Sequence, residues 1–403
     1  IISEPTAAAL YYGCAKEQEE KTILVYDLGG GTFDVTIMRI SSGKIEVICS
    51  DGNHQLGGKD WDTEIMNFLA TQFCAETGFD GDFDEYAQQD LRLKAEKAKQ
   101  QLSSREEVPV MLDAAGLRAR ISLSRTTFDE ITQALLNESI EKTDAAIAVA
   151  KEKGYTVDEI LLVGGSTRMP QVTKALVSKY GIEPKILEPD EAVAKGAAIY
   201  ALGAYEGKVE EWKEKVAAGE VDVTDEEVKE EVEKYSEAAS VSSATIPGLQ
   251  GHKMSEVVTV ATTKSYAIQV LVEGQEKCCN MIIKNEKMEN GFVSVTKQFG
   301  TAAENQETAE LIVFESDFDT EYFEVDSDFI LGTATLELPG NLPAGAPIQV
   351  TFTLNNEGIL EVTGKDMTTN REIHATMQAT AGTTMTKEDV QAAKAKTKSI
   401  AVE

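Results

Sequence analysis

The chain has 403 residues, 42% of them hydrophobic, which is enough for two or three domains that each bury a core. Its 69 acidic and 38 basic side chains leave a formal net charge of −31, which opposes binding to the phosphate backbone of nucleic acid. No apolar run approaches the about 20 residues of a membrane-spanning helix, and no basic and apolar leader opens the sequence. We therefore expect a soluble, cytoplasmic protein that binds neither nucleic acid nor a membrane.

The first strand-like segments are residues 23–27, 32–40 and 44–50. Turns that contain glycine separate them, and this pattern predicts an antiparallel meander.

Helical patterns follow the meander. The clearest is an apolar stripe at helical spacing, made of Leu91, Ala95, Ala98 and Leu102. Residues 159–163 predict a further strand, and a helix is expected from Pro170, because proline suits the first helical turn. Strands that alternate with helices up to about residue 204 indicate an α/β domain.

Residues 207–240 are rich in glutamate and predict two short helices with one weakly apolar face. The plain interpretation is a solvated, charged connector, and the alternative is an element that binds a partner. Residues 240–253, rich in Ser, Gly and Ala, are typical of a flexible linker.

Beyond residue 257 the apolar pattern changes to a period of two, which is typical of strands. Regularly spaced short strands predict a β-sandwich. The predicted strands are residues 266–272, 292–299, 311–314, 348–352 and 359–362. A helix is expected to begin near Thr386.

The five cysteines are too few and too scattered for a disulfide framework, which indicates a reducing compartment. The adjacent pair Cys278 and Cys279 could form a redox site. Neighbouring residues of a strand point to opposite faces, however, so we interpret the two as ordinary strand residues.

The most informative segment is Asp-Leu-Gly-Gly-Gly-Thr-Phe-Asp at residues 27–34. Three glycines remove every β-carbon from the turn, so that backbone N–H groups can converge on a phosphate. Asp27 and Asp34 flank the turn and could reach a metal ion or an attacking water, and such oxygen ligands suit Mg²⁺. Taken alone, a glycine turn between strands is more often only a tight hairpin.

A second glycine pair, Gly164 and Gly165, comes at a predicted strand end just before a helix. Open α/β sheets bind nucleotides at such positions, so two glycine turns in one domain favour a nucleotide site.

These segments resemble motifs of the seventy-kilodalton heat-shock chaperones, the heat shock protein 70 family. Residues 27–34 are similar to that family's second phosphate loop, and residues 161–170 to its adenosine motif. The further matching segments are residues 3–9, 56–60, 189–194, 358–362 and 365–366.

The resemblance implies an α/β actin-like ATPase, of which only the second half is present, plus an all-β sandwich peptide-binding domain. The implied boundaries are residues 1–206 for the half ATPase domain, 207–256 for the acidic connector and linker, 257–383 for the sandwich and 384–403 for the start of a helical lid.

The resemblance further implies ATP or ADP and Mg²⁺ as cofactors. Asp27, Thr32 and Asp34 would be catalytic, and Glu4 and Asp27 would hold Mg²⁺ through water. Gln100 stands where many relatives carry a basic residue that stacks on adenine. The implied nucleotide-binding residues are Gly29, Gly30, Gly31, Thr32, Glu96, Lys99, Gln100, Ser103, Gly164, Gly165, Ser166, Arg168 and Asp190.

Ile268, Phe299, Ala309 and Leu311 would line the groove for extended, apolar segments of unfolded polypeptides. For Ile268 and Ala309 the competing interpretation is that they are ordinary core residues. A J-domain protein and a nucleotide-exchange factor would be the co-chaperones.

The sequence departs from the family pattern in three ways. It begins after the family's first phosphate loop and a lysine that assists hydrolysis, so we expect little ATPase activity from residues 1–403 alone. The acidic connector replaces the short aliphatic linker, with only Val257, Val258 and Val260 to stand in for it. The lid ends near Glu403, and a groove without its full lid should release peptide faster.

Two other functions compete with an ATP-dependent chaperone. One is an ATP-independent peptide-binding module or holdase. The other is a sugar kinase or cytoskeletal relative, which the sandwich-like pattern of residues 260–380 disfavours.

Overall fold

The computed structural model describes residues 2–14, 20–41, 44–186, 191–201, 258–259, 261–288, 291–355 and 358–378. The chain divides into two compact units, residues 2–259 and 260–403. The predicted connector at 207–256 and the predicted lid at 384–403 lie outside the described residues, as does Asp190. The domain boundaries drawn from the sequence stay predictions.

A six-stranded mixed sheet runs through the first unit in the order β7-β6-β1-β2-β3-β8. Strands β1, β2 and β3 pair antiparallel, which confirms the predicted meander. Strand β6 joins β1 in parallel, β7 joins β6 in parallel, and β8 joins β3 in parallel. The strands are β1 (Lys21–Leu28), β2 (Phe33–Ser41), β3 (Lys44–Asn53), β6 (Glu159–Val163), β7 (Lys185–Ile186) and β8 (Val258–Thr259).

Helices and one hairpin complete the first unit. The hairpin consists of β4 (Glu107–Ala114) and β5 (Leu117–Ser124). The helices are α1 (Glu4–Cys14), α2 (Gly58–Thr77), α3 (Glu85–Leu102), α4 (Arg125–Ile131), α5 (Gln133–Glu152) and α6 (Pro170–Tyr180). Residues 192–201 are also helical. None of the described helices is long and apolar enough to span a membrane.

The apolar stripe of α3 is buried as its spacing predicts, with Ala95 fully inaccessible and Leu91, Ala98 and Leu102 nearly so. The stripe packs into the core cluster that also contains Trp61 of α2. Helix α6 begins at Pro170, as predicted. One face of α3 therefore packs into the core, and the opposite face is available for other contacts.

Two sheets make up the second unit, with strand orders β13-β10-β9-β12-β14 and β11-β15-β16-β17. The five strands predicted from the period of two are found within β9, β11, β12, β15 and β16. The strands are β9 (Ser265–Val272), β10 (Gln275–Ile282), β11 (Phe292–Gly300), β12 (Thr308–Ser316), β13 (Tyr322–Glu324), β14 (Ile330–Glu337), β15 (Pro347–Asn355), β16 (Ile359–Asp366) and β17 (Glu372–Gln378).

Buried side chains from both sheets of the second unit share one apolar cluster, which includes Val313 of β12 and Phe352 of β15. The bounds of β10 were not predicted, although Cys278 and Cys279 were interpreted as strand residues, because residues 278–282 are all buried and show no alternation. Buried runs of this kind lack the period-two signal of a half-exposed strand.

Cys278 and Cys279 point to opposite faces of β10, as the sequence predicts. Cys278 packs with Phe314 and Phe323, whereas Cys279 belongs to the cluster shared by the two sheets. Burial raises the pKa of the Cys278 thiol to about 11 and also raises that of Cys279. These shifts favour protonated thiols at neutral pH, although the Lys297 ammonium group, 3.7 Å from the Cys279 sulfur, acts against the shift at Cys279.

Candidate functional site

The triple-glycine turn joins β1 to β2. Asp27 and Asp34 face each other across the hairpin, and the Gly29 N–H donates to the Thr32 carbonyl oxygen at 3.0 Å. Within the described residues, no acceptor engages the N–H groups of Gly30 and Gly31. A β-carbon on Gly30 would meet no atom within 4 Å. The outer side of this turn therefore offers backbone donors to an incoming group.

Another glycine pair, Gly57 and Gly58, packs against the triple-glycine turn. The Gly58 N–H donates to the Gly29 carbonyl at 3.0 Å, and the Lys59 N–H donates to the Gly30 carbonyl at 2.8 Å. A β-carbon on Gly57 would lie 2.5 Å from three backbone atoms of Gly31. Only glycine permits this approach, and Gly57 was not among the site residues predicted from the sequence.

A third glycine turn follows β6. Because β1 and β6 run parallel, Val163 lies beside Asp27 and the two turns leave the same edge of the sheet. The Ser166 hydroxyl donates to the Gly29 carbonyl oxygen at 2.9 Å. Gly164 has φ of 82°, and a β-carbon there would overlap the Leu28 carbonyl oxygen. Glycine is required here both by its backbone conformation and by the close contact.

Helix α3 contributes Lys99 to this cluster of turns. Its ammonium group donates to the Gly58 carbonyl oxygen at 2.7 Å and pairs with Asp62 at 2.9 Å. Burial raises the pKa of the Asp62 carboxyl even though Lys99 opposes that rise. The interaction holds α3 against the start of α2.

The other candidates on α3 lie closer to solvent. Glu96 and Gln100 are exposed and bonded to each other at 3.2 Å. The Ser103 hydroxyl donates to the Lys99 carbonyl at 3.4 Å, so it lies one turn beyond Lys99. Gly165 and Arg168 belong to the short 3-10 helix that follows Gly164, and the Arg168 side chain is exposed.

Asp27 is a strongly perturbed carboxyl of the site. Its side chain is buried, and burial, followed by the negative charges of Glu4 and Asp34, raises its pKa from 3.8 to about 7. Within the described part of the chain, no cation is among the groups that shift this pKa. Three carboxylates therefore act on one another at the end of β1, where a cation would be stabilised.

The donor chemistry of this carboxylate group fits Mg²⁺, which prefers oxygen ligands. Among the described residues, no three acidic, histidine or cysteine side chains lie close enough together to hold a metal ion directly. Since Mg²⁺ usually keeps several of its waters, Glu4, Asp27 and Asp34 fit an ion that is bound through water.

The candidate groove residues of the second unit are distributed over both sheets. Ile268, Ala309 and Leu311 come from the five-stranded sheet and are 3%, 8% and 4% exposed. Phe299 belongs to β11 of the other sheet and is half-buried against the same cluster. All four contact one core, so of these side chains only Phe299 has a substantial surface for a ligand.

The arrangement is thus an α/β unit with three glycine turns at one sheet edge, followed by an all-β unit. The family whose sequence model matches this chain is described as Hsp70 protein, and the matched residues are 1–272 and 222–403. The chain belongs to the Hsp70 family.

Two curated relatives agree with this assignment. The chain is 34% identical over 382 residues to "Chaperone protein DnaK" of Thermosipho melanesiensis, an alignment that covers 92% of this chain and 55% of the relative. It is also 34% identical, with the same coverage, to "Chaperone protein DnaK" of Thermosipho africanus. The chain spans about half the length of these relatives.

Proposed function

We propose that the intact protein is an ATP-dependent chaperone. In this proposal the actin-like first unit binds and hydrolyses ATP with Mg²⁺, and the sandwich of the second unit binds extended apolar segments of unfolded polypeptides. The observation that carries the proposal is the meeting of three glycine turns on the Gly29 carbonyl, beyond the carboxyl ends of β1 and β6. Ligands of open α/β sheets bind at this kind of edge.

The phosphates of the nucleotide would lie on the turn at Gly29–Gly31, where two backbone N–H groups lack protein acceptors within the described residues. Phosphoryl transfer to water requires positioning and charge neutralisation more than covalent assistance. Asp27 and Asp34 would orient the attacking water, with the hydroxyl of Thr32 beside them. Mg²⁺, when bound, neutralises phosphate charge, and Glu4 and Asp27 would hold its waters.

Adenosine would lie between α3 and the turn that follows β6. Glu96, Gln100 and Ser103 supply polar groups on one side, and Gly164, Gly165, Ser166 and Arg168 supply the other side. Lys99 is already neutralised by Asp62, so its contribution is to keep α3 beside the glycine turns. Asp190 is part of the same proposal, although it lies outside the described residues.

The peptide site of the proposal is centred on Phe299, the half-buried member of the predicted groove. An extended peptide would be held through backbone hydrogen bonds and one apolar side chain. A J-domain protein and a nucleotide-exchange factor would be its co-chaperones by family membership.

The test is ATP turnover and peptide binding by the intact protein, measured with Thr32→Ala and Asp27→Ala. Both variants should lose turnover, whereas Thr71→Ala, an exposed threonine on α2, should keep it. Turnover that survives in both site variants would show that the catalytic assignment is wrong.

Peptide binding measured with and without ATP separates the leading proposal from the holdase. An ATP-dependent chaperone should release a fluorescent peptide faster when Mg-ATP is added. Peptide binding that is insensitive to nucleotide, together with no turnover, would instead support the ATP-independent module.

A further inference from the structure

Lys59 lies at the start of α2, directly over the triple-glycine turn. Its backbone N–H donates to the Gly30 carbonyl at 2.8 Å, which fixes the residue beside the turn. Its ammonium nitrogen lies 3.8 Å from the position that a β-carbon would take on Gly31. The positive charge is therefore held next to the open backbone donors of Gly30 and Gly31.

This lysine is an unfavourable choice for the helix itself. The first turn of a helix favours acidic side chains, because unpaired N–H groups give it a partial positive charge. Asp60 meets that preference, since its carboxylate accepts from the Gly57 N–H at 2.7 Å. Lys59 opposes the preference, so its presence is not explained by the stability of α2.

Lys59 also lacks an ion-pair partner among the described residues. A lysine in a helix commonly pairs with an acid three or four positions away. Asp62, three positions on, is already bound by Lys99 at 2.9 Å, and Thr63, four positions on, carries no charge. The ammonium group is exposed and available to a ligand.

We propose that Lys59 is a phosphate-binding residue of this site. Its ammonium group and the N–H groups of Gly30 and Gly31 form one anion-binding surface, which receives the terminal phosphates of an adenine nucleotide. The proposal rests on the nucleotide site proposed above and adds a cation to a turn that is otherwise flanked by Asp27 and Asp34. A lysine provides a point charge for phosphate, and a charge-assisted hydrogen bond of this kind is among the stronger ones.

The experiment compares Lys59→Met with the wild-type intact protein in calorimetric titrations of Mg-ADP and of adenosine. A matched control is Lys151→Met, which removes the same charge from the exposed end of α5. We expect Lys59→Met to weaken Mg-ADP binding about tenfold or more and to leave adenosine binding unchanged. Lys59→Arg should restore most of the ADP affinity, and Lys151→Met should match the wild type.

Thermal unfolding of the same variants shows that any loss is not a folding defect. Lys59→Met should melt at the wild-type temperature or above it, because it removes a positive charge from a helix start. ADP affinity within twofold of the wild type in Lys59→Met would overturn the proposal, and so would an equal loss of ADP and adenosine. Absence of adenine-nucleotide binding by the wild type would instead overturn the proposed function.

Discussion

The glycine turns of the first unit and the predicted groove of the second unit differ in how clearly their residues indicate a function. In the first unit, glycines and carboxylates lie at strand ends, and an apolar core would not select a buried carboxylate such as Asp27. In the second, Ile268, Ala309 and Leu311 are buried in the core that both sheets share. An apolar residue serves a core and a ligand equally well, so its type does not distinguish the two roles.

The glycine turns indicate a function more clearly than the groove candidates because their backbone admits only glycine at some positions. Gly57 approaches Gly31 so closely that a β-carbon would lie 2.5 Å from its backbone, and Gly164 combines a φ of 82° with a similar overlap. These restrictions have no counterpart among the groove candidates, whose backbones lie in regular strands. Substitutions in the glycine turns should therefore weaken nucleotide binding, with a loss of stability where a β-carbon overlaps the backbone. Substitutions of the buried groove candidates should chiefly lower stability.

The largest expected effect concerns Leu311. Leu311→Ala should lower the free energy of unfolding by about 2–5 kcal/mol, because it removes a buried side chain and leaves a cavity. Chemical denaturation of the intact protein measures this change. Lost peptide affinity with unchanged stability would show that Leu311 lines a groove and is not a core residue.

Gly57→Ala should have the next largest effect. The added methyl group must push Gly57 away from Gly31, which should lower the free energy of unfolding by about 1–3 kcal/mol. Nucleotide affinity should fall as well, because the triple-glycine turn is displaced. Nucleotide titration and thermal unfolding measure the two quantities.

Gly30→Ala is the matched control for Gly57→Ala, because a β-carbon at Gly30 meets no protein atom within 4 Å. Its stability should stay within about 0.5 kcal/mol of the wild type, while phosphate binding weakens. Gly30→Ala with full nucleotide affinity would mean that the outer side of the turn does not receive phosphate.

A smaller effect is expected at Glu159, which begins β6, whereas Gly164 follows the other end of that strand. Glu159 accepts hydrogen bonds from Lys185, Lys21 and Tyr12 at 2.6, 2.8 and 2.5 Å. Burial alone would raise its pKa, but these donors hold the pKa at about 2, below its ordinary value of 4.5. Glu159 therefore stabilises the fold above about pH 4.5, and this contribution is lost as the pH falls towards 2.

Glu159→Gln should lower the free energy of unfolding at pH 7 by about 1–2 kcal/mol and flatten its dependence on pH between 4.5 and 2. Nucleotide affinity should not change, since the substitution is at the far end of the strand from the glycine turn. Denaturation curves at several pH values provide the test. An unchanged pH profile would contradict the assignment of this carboxylate.

The smallest effect concerns the adjacent cysteines. Cys278 and Cys279 are buried, and burial raises the pKa of both thiols, so alkylation of the native protein at pH 7 should leave both unmodified. Mass spectrometry after iodoacetamide treatment measures this directly. Rapid labelling of Cys279 in the folded protein would show that β10 opens readily.

Much of the fold could be predicted where local pattern decides the structure. The meander, the apolar stripe of α3 and the start of α6 at Pro170 all follow from glycine punctuation, helical spacing or proline preference. The bounds of β10 could not be predicted, because burial on both faces removed its alternation. All five strands predicted in the second unit were found, whereas β14 was not predicted although buried and exposed residues alternate over its second half.

The candidate site was predictable only in its backbone chemistry. The glycines of residues 29–31 indicate a turn without β-carbons, and Gly164 is the one of these glycines at which a β-carbon would overlap the backbone. The ion pair of Lys99 with Asp62 and the contact of Gly57 with Gly31 join residues far apart in sequence, so no local pattern indicates them. The role proposed for Lys59 likewise rests on its contact with Gly30, which no local pattern indicates.

Calorimetric titration of Mg-ATP and Mg-ADP into the intact protein decides whether the glycine turns bind a nucleotide. We expect saturable binding of both nucleotides, abolished or strongly weakened by Gly57→Ala and weakened by Gly30→Ala. No measurable uptake of either nucleotide by the wild type, in a sample that is folded by its melting curve, would contradict this expectation.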